Sequence, residues 1–120
     1  MSNDLRTIER AAAEGHEGAT RALAVYTYRI RKYVGAYTAV LGRVDALVFT
    51  AGVGENSPTV RAAALSGLSP LGYCLDEAQN EAARGREATI SSPDSAARIL
   101  VVPTNEELMI ARDAHALVSR

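Results

Sequence analysis

A chain of 120 residues has room for one domain at most, and 48% hydrophobic residues supply the material for a core. The formal net charge of −1 gives no field to attract nucleic acid or an acidic membrane, and no apolar run approaches the roughly 18 residues of a membrane span. Nothing at the start resembles a signal peptide, and the single cysteine, Cys74, excludes an intramolecular disulfide framework, so a cytoplasmic protein is expected.

In chain order, "SNDLRTIERAAAEG" reads as a helix with Asp4 as N-cap and Gly15 or Gly18 as its end. A long amphipathic helix follows in "TRALAVYTYRIRKYVGAYTAVLG". Leu23, Tyr26, Ile30, Tyr33, Tyr37 and Leu41 recur along one face at steps of three and four. A tyrosine stripe of this kind is expected to be core. Gly42 closes the helix, and Val44 to Thr50 is apolar and β-branched enough for a buried parallel strand.

Next comes a glycine-rich loop. Ser57 and Pro58 then form an N-cap followed by proline at the first helical position, opening a helix that ends near Gly67. "SPLGYC" is irregular. Asp76 caps a short helix that Gly85 stops. Ala88 to Ser92 is a weak strand, and Arg98 to Pro103 is a stronger, buried one. Thr104 to Arg120 is the last helix, with Leu108, Ala111, Ala114 and Val118 on one side. The alternation predicts an α/β fold with an incomplete, mainly parallel sheet and flanking helices. Two strong strands and one weak strand are few for a self-sufficient sheet, which typically has about four to six.

The loop "GVGENS" admits three readings. As a dinucleotide fingerprint it has Ser57 where the third glycine belongs, and Asp76, near the spacing of the ribose acid, opens a helix instead of ending a strand. A P-loop needs a lysine after the glycines, and the only lysine, Lys32, precedes them. The third reading is a strand-to-helix loop in which Gly52 and Gly54 let a nucleotide lie against the backbone, with Glu55 and Asn56 as hydrogen-bond partners. A plain tight turn fits the pattern equally well.

Three segments carry a resemblance. "VFTAGVGENSPTVR" resembles the adenosine-binding segment of the acetate kinase (acetokinase) family, "PTNEELMIARDA" resembles its C-terminal motif, and "SNDLR" resembles its GxSxDxR segment. The three stand in family order across the whole chain. The resemblance implies the C-terminal, nucleotide-side portion of an acetokinase. That is a single partial domain of the actin-like (ribonuclease H-like) ATPase fold shared with actin, hexokinase and Hsp70.

Family members transfer phosphate between ATP and acetate with magnesium and are typically homodimers; propionate and butyrate kinases are close relatives. By the same resemblance, Asp4, Leu5 and Arg6 flank the adenine and ribose. Gly52, Val53, Gly54, Glu55 and Asn56 form the adenosine loop, and Glu106 is the acid at the magnesium site. The family's acetate pocket and catalytic arginines, aspartate and histidines match nothing in this chain, so no catalytic residue is assigned and an inactive fragment is expected. The alternatives are a binding or dimerisation module derived from the fold, or a fragment of a propionate or butyrate kinase.

The remaining residues have plainer readings. His16 and His115 have no histidine or cysteine at ligand spacing and are expected at the surface or an interface. Cys74 behaves as a small apolar residue. Arg84 and Arg86 with Glu81 and Glu87 read as a solvated face. In "TNEE", Thr104 and Glu107 have capping-box spacing, with the Glu107 carboxylate reaching back to the Thr104 N–H. This leaves Glu106, about 100° around the helix, free to hold magnesium through water.

Overall fold

A computed structural model of the chain describes residues 5–104. Helix α1, Leu5–Ala13, stops as expected at the Glu14–Gly15 turn, where Gly15 takes a φ of 91°. Helix α2, Glu17–Leu41, begins at His16, whose Nδ1 accepts from the Ala19 N–H at 3.0 Å. His16 is exposed, in keeping with its surface reading, and its cap function follows from this bond. Helix α2 ends at Gly42 with φ 74°.

The buried face of α2 is not the tyrosine stripe. Tyr26, Tyr33 and Tyr37 are 40, 61 and 63% exposed, and the last two stack on each other with ring centroids 6.3 Å apart. The inward seam is Ala19, Leu23, Thr27, Val34 and Thr38, rotated from the expected stripe. Its threonines are polar in name only. Thr27 Oγ1 donates to the Leu23 and Ala24 carbonyls and Thr38 Oγ1 to the Val34 carbonyl, so their burial leaves no hydroxyl unpaired. These small side chains let α2 lie close against α1 and α4, Pro58–Leu65.

Strand β1, Ala46–Phe49, is shorter than the expected Val44–Thr50 and is half-buried: Phe49 is inside, and Val48 is 48% exposed. After it come the short α3, Ala51–Asn56, then α4, a 3-10 turn at Ser69–Leu71, and α5, Glu77–Ala82, capped by Asp76 as expected. Strands β2, Ala88–Thr89, and β3, Arg98–Val101, complete the sheet. The order is β1-β3-β2, with β1 parallel to β3 and β2 antiparallel to it. The sheet is therefore mixed, not mainly parallel. The cause is local: β2 returns to β3 through the turn around Pro93 and Asp94, a reversal that needs no crossover.

The central strand carries the core. Ile99 and Val101 are fully buried and gather Phe49, Leu65, Tyr73, Ala83, Ile90 and Ala97 around them. The Tyr73 hydroxyl meets Thr38 Oγ1 at 2.7 Å and joins this core to α2. Cys74 is half-buried beside it. No helix among the described residues is long and apolar enough to cross a membrane. Asp4, the last helix with Glu106 and Glu107, and His115 lie outside the described residues.

Candidate functional site

The chain leaves β1 at Phe49, whose carbonyl still accepts a ladder-like bond from the Val102 N–H at 2.9 Å. It must then turn sharply into α4. Thr50 is extended, Ala51 sits in the left-handed region at φ 57°, and Gly52 has φ 44° and ψ −108°. The last of these is a conformation that side-chain-bearing residues avoid. The turn is closed from within by the Asn56 Nδ2, which donates to the Gly52 carbonyl at 2.8 Å.

The loop is also tied from outside. The Glu55 carbonyl accepts from the Gly85 N–H at 2.8 Å. Glu55 Oε2 accepts from the Thr104 N–H at 2.9 Å. Ser57 Oγ caps α4 by accepting from the Val60 N–H at 3.1 Å, and it donates to Glu9 Oε1, docking α1 on the start of α4.

Behind the loop lies a residue that sequence reasoning missed. Arg61, one turn into α4, is completely buried. Its Nε donates to Asn80 Oδ1 and its Nη2 to the Asn80 and Ala83 carbonyls; its Nη1 donates to the Gly54 carbonyl at 3.0 Å. Burial, reinforced by the nearby Arg84 charge and opposed by Glu81, pushes the guanidinium below the usual arginine range. Its presence inside the quoted glycine motif was the one available signal.

A cleft of about 650 Å³ opens on the outer side of the loop, lined by Arg6, Glu9, Gly52, Val53, Asn56, Ser57 and Arg84. Four of the expected site residues, Arg6, Gly52, Val53 and Asn56, thus meet across distant parts of the chain. Three others do not join them. Gly54 packs inward, where an added Cβ would lie 3.6 Å from the Phe49 carbonyl carbon. Glu55 spends a carboxylate oxygen on Thr104, and Leu5 is half-buried on α1 outside the lining.

The Thr104 N–H, which the capping-box reading gives to Glu107, donates to Glu55 Oε2; Glu107 itself lies outside the described residues. Arg84 is exposed, as its reading within a solvated face expects, and holds Glu81 at 2.6 Å, yet it also lines the cleft. Another cleft of similar size, between α4 and α5, shares none of the loop glycines. Its buried amide, Asn80, is committed to Arg61 and to the Pro58 carbonyl.

The volume falls within the roughly 300–1,000 Å³ of small-molecule sites. Bare backbone at Gly52 and guanidinium groups at Arg6 and Arg84 suit an anionic, flat-sided ligand. Among the described residues, no three of His, Cys, Asp and Glu gather into a metal-binding group. The magnesium expectation therefore rests on Glu106 alone, outside those residues.

Fold and cleft together define an α/β protein whose strand-to-helix glycine loop opens onto a charged cleft. The family model described as the acetokinase family matches residues 1–112, and the chain belongs to that family. It is 55% identical to an acetate kinase of Thermotoga maritima, covering all of this chain and 30% of that one. It is 52% identical to an acetate kinase of Methanosarcina acetivorans, over 94% of this chain and 28% of the other.

Among solved structures, an acetate kinase of Porphyromonas gingivalis superposes with a TM-score of 0.88 at 50% identity, over 98% of this chain and 29% of that chain. A propionate kinase of Francisella tularensis gives 0.80 at 38%, over 91% and 27%. The chain spans about 30% of the length of the curated relatives it matches. Those shares establish the family and a length; they do not bear out the expectation that the chain is specifically a C-terminal portion.

Proposed function

We propose that this chain provides a nucleotide-contacting face of an acetokinase-family phosphotransferase, an actin-like ATPase that moves phosphate between ATP and the carboxyl group of acetate. The observation that carries the reading is the meeting of Arg6, Gly52, Val53 and Asn56 on one cleft. Nothing lies within 4 Å of a Cβ built on Gly52, so a planar base or ribose can approach its backbone directly. Asn56 fixes the loop through the Gly52 carbonyl, and Arg6 and Arg84 supply positive charge for an anionic group. Glu9, held by Ser57, keeps α1 against the loop and so keeps Arg6 at the cleft.

Bound magnesium would neutralise charge on the phosphates, with Glu106 as the residue to hold it. Catalytic groups that act on the transferred phosphate are not assigned in this chain. Since phosphoryl transfer depends on positioning and charge stabilisation around the moving group, the chain alone is expected to show no ATP- and acetate-dependent turnover in a coupled assay. In the whole enzyme the partners are ATP and acetate, and the assembly is a homodimer. The structural likeness to a propionate kinase keeps a longer acyl substrate as the second reading.

Amide NMR of the labelled chain titrated with ADP tests the reading. A dissociation constant near 1 mM corresponds to about −4.1 kcal/mol and is visible by shift changes. These are expected at Gly52, Val53, Asn56 and Arg84. Silence at those amides, or changes confined to the cleft between α4 and α5, rejects it.

A further inference from the structure

Arg61 differs from the other arginines among the described residues in being wholly buried. Its hydrogen-bond partners among the described residues are neutral: three backbone carbonyls and one amide oxygen. A cation buried without a carboxylate partner is costly. What the planar fork achieves in return is reach, because its donors point in fixed, divergent directions.

The acceptors lie on two separate segments. Nη1 holds the Gly54 carbonyl inside the glycine loop. Nε and Nη2 hold Asn80 and the Ala83 carbonyl at the end of α5, the residue immediately before Arg84. Asn80 in turn donates to the Pro58 carbonyl at the start of α4, so the guanidinium and its own helix are braced together. Both segments reach the lining of the cleft: Gly52, Val53 and Asn56 belong to the loop, Arg84 directly follows Ala83, and Arg6 and Glu9 of α1 line it as well. The Gly85 N–H to Glu55 carbonyl bond, 2.8 Å, spans the same gap one residue further on.

We propose that Arg61 is a positioning residue that sets the separation of the glycine loop from Arg84, so that both meet one bound nucleotide. The ligand half of this statement rests on the nucleotide reading above; the coupling of the two segments does not. A purely structural arginine would stabilise the whole fold evenly. A positioning one controls the gap specifically.

Hydrogen exchange separates these roles without any ligand. The reporter is the Gly85 N–H across the gap, and the control is the Ile90 N–H, bonded to the Ile99 carbonyl at 2.8 Å in the core. In Arg61→Met and in Arg61→Lys, Gly85 is expected to lose at least tenfold more protection than Ile90. ADP affinity is expected to fall at least tenfold, with the Arg84 amide no longer shifting in step with Gly52. Lysine restores charge but not the fork, so it should behave closer to methionine than to wild type.

Equal loss at Gly85 and Ile90, or no loss at Gly85, overturns the proposal. Should methionine prevent folding, the lysine variant decides. If neither variant folds, Arg61 is needed for the fold itself and the positioning role is overturned. An absence of ADP response in the wild type, with the Gly85 effect present, overturns the nucleotide reading and leaves the coupling of the two segments standing.

Discussion

Gly52 and Gly54 stand two residues apart in one loop, and alanine should act on them in opposite directions. At Gly52 the cost is conformational. A φ of 44° with ψ −108° is strained for any residue with a Cβ, and such strain costs about 1–3 kcal/mol. No steric cost adds to it, because no atom lies within 4 Å of the added carbon. At Gly54 the backbone is ordinary and the nearest atom, 3.6 Å away, is at normal contact distance. Alanine there restricts the unfolded chain and should stabilise by about 0.4–1 kcal/mol. Urea denaturation of the two variants reads the difference directly. The added methyl at Gly52 also enters the cleft, so in a full-length enzyme carrying this segment Gly52→Val should raise the KM for ATP more than that for acetate. If Gly54→Ala proves the more damaging substitution, the assignment of inward and outward glycines is wrong. If Gly52→Val affects both KM values alike, Gly52 is only a turn residue.

Other outcomes follow from the same contacts. Ser57→Ala removes the α4 cap and the donor to Glu9; a loss of about 1–3 kcal/mol in urea denaturation is expected, with faster exchange throughout α1, and a change below about 0.5 kcal/mol would refute it. Glu55→Ala removes an acceptor of the Thr104 N–H and should cost about 0.5–2 kcal/mol, whereas Glu107→Ala should cost less, since Glu55 accepts from that donor; a larger loss at Glu107 would show that the capping box is the main partner of that N–H. With β1 paired only to β3 among the described residues, and Tyr33, Tyr37 and Leu41 more than 60% exposed, the isolated chain should self-associate, as bare edges and apolar faces do. Sedimentation showing a monodisperse monomer at on the order of tens of micromolar, where contacts of about −6 kcal/mol register, would refute this.

The sequence was most legible where one residue type has one backbone use. Gly15 and Gly42 take positive φ at the ends of their helices, and Ser57, Pro58 and Asp76 open theirs. Those assignments needed no knowledge of the neighbours. The buried face of α2 did need it. Hydrophobic spacing favours tyrosine over threonine for the core, but Thr27 and Thr38 bond their own helix carbonyls and become nearly apolar surfaces. Tyrosine is too large for a seam that lets α1, α2 and α4 approach closely. The mixed sheet is hidden for a related reason: apolar runs announce strands, but the two-residue β2 derives its direction from a turn and its pairing from β3.

The cleft divides along the same line. Gly52 was readable because a missing side chain is itself the signal. Arg6 and Val53 came from a resemblance, and nothing in their own chemistry marked them. Arg61 and Arg84 show what a pattern of side chains leaves out. An arginine in "PTVRAAAL" looks like a solvated charge on an alanine-rich helix, since no acid stands at i±3 or i±4 to draw it inward. Its actual partners are mainly carbonyls at Gly54, Asn80 and Ala83, and every residue has a carbonyl. Which ones converge is decided only after β1, α4 and α5 have packed. The charge therefore belongs to the tertiary structure, where it joins the glycine loop, legible from the start, to the Asn80–Ala83 segment that leads into Arg84, a residue whose own pattern marks only a solvated surface.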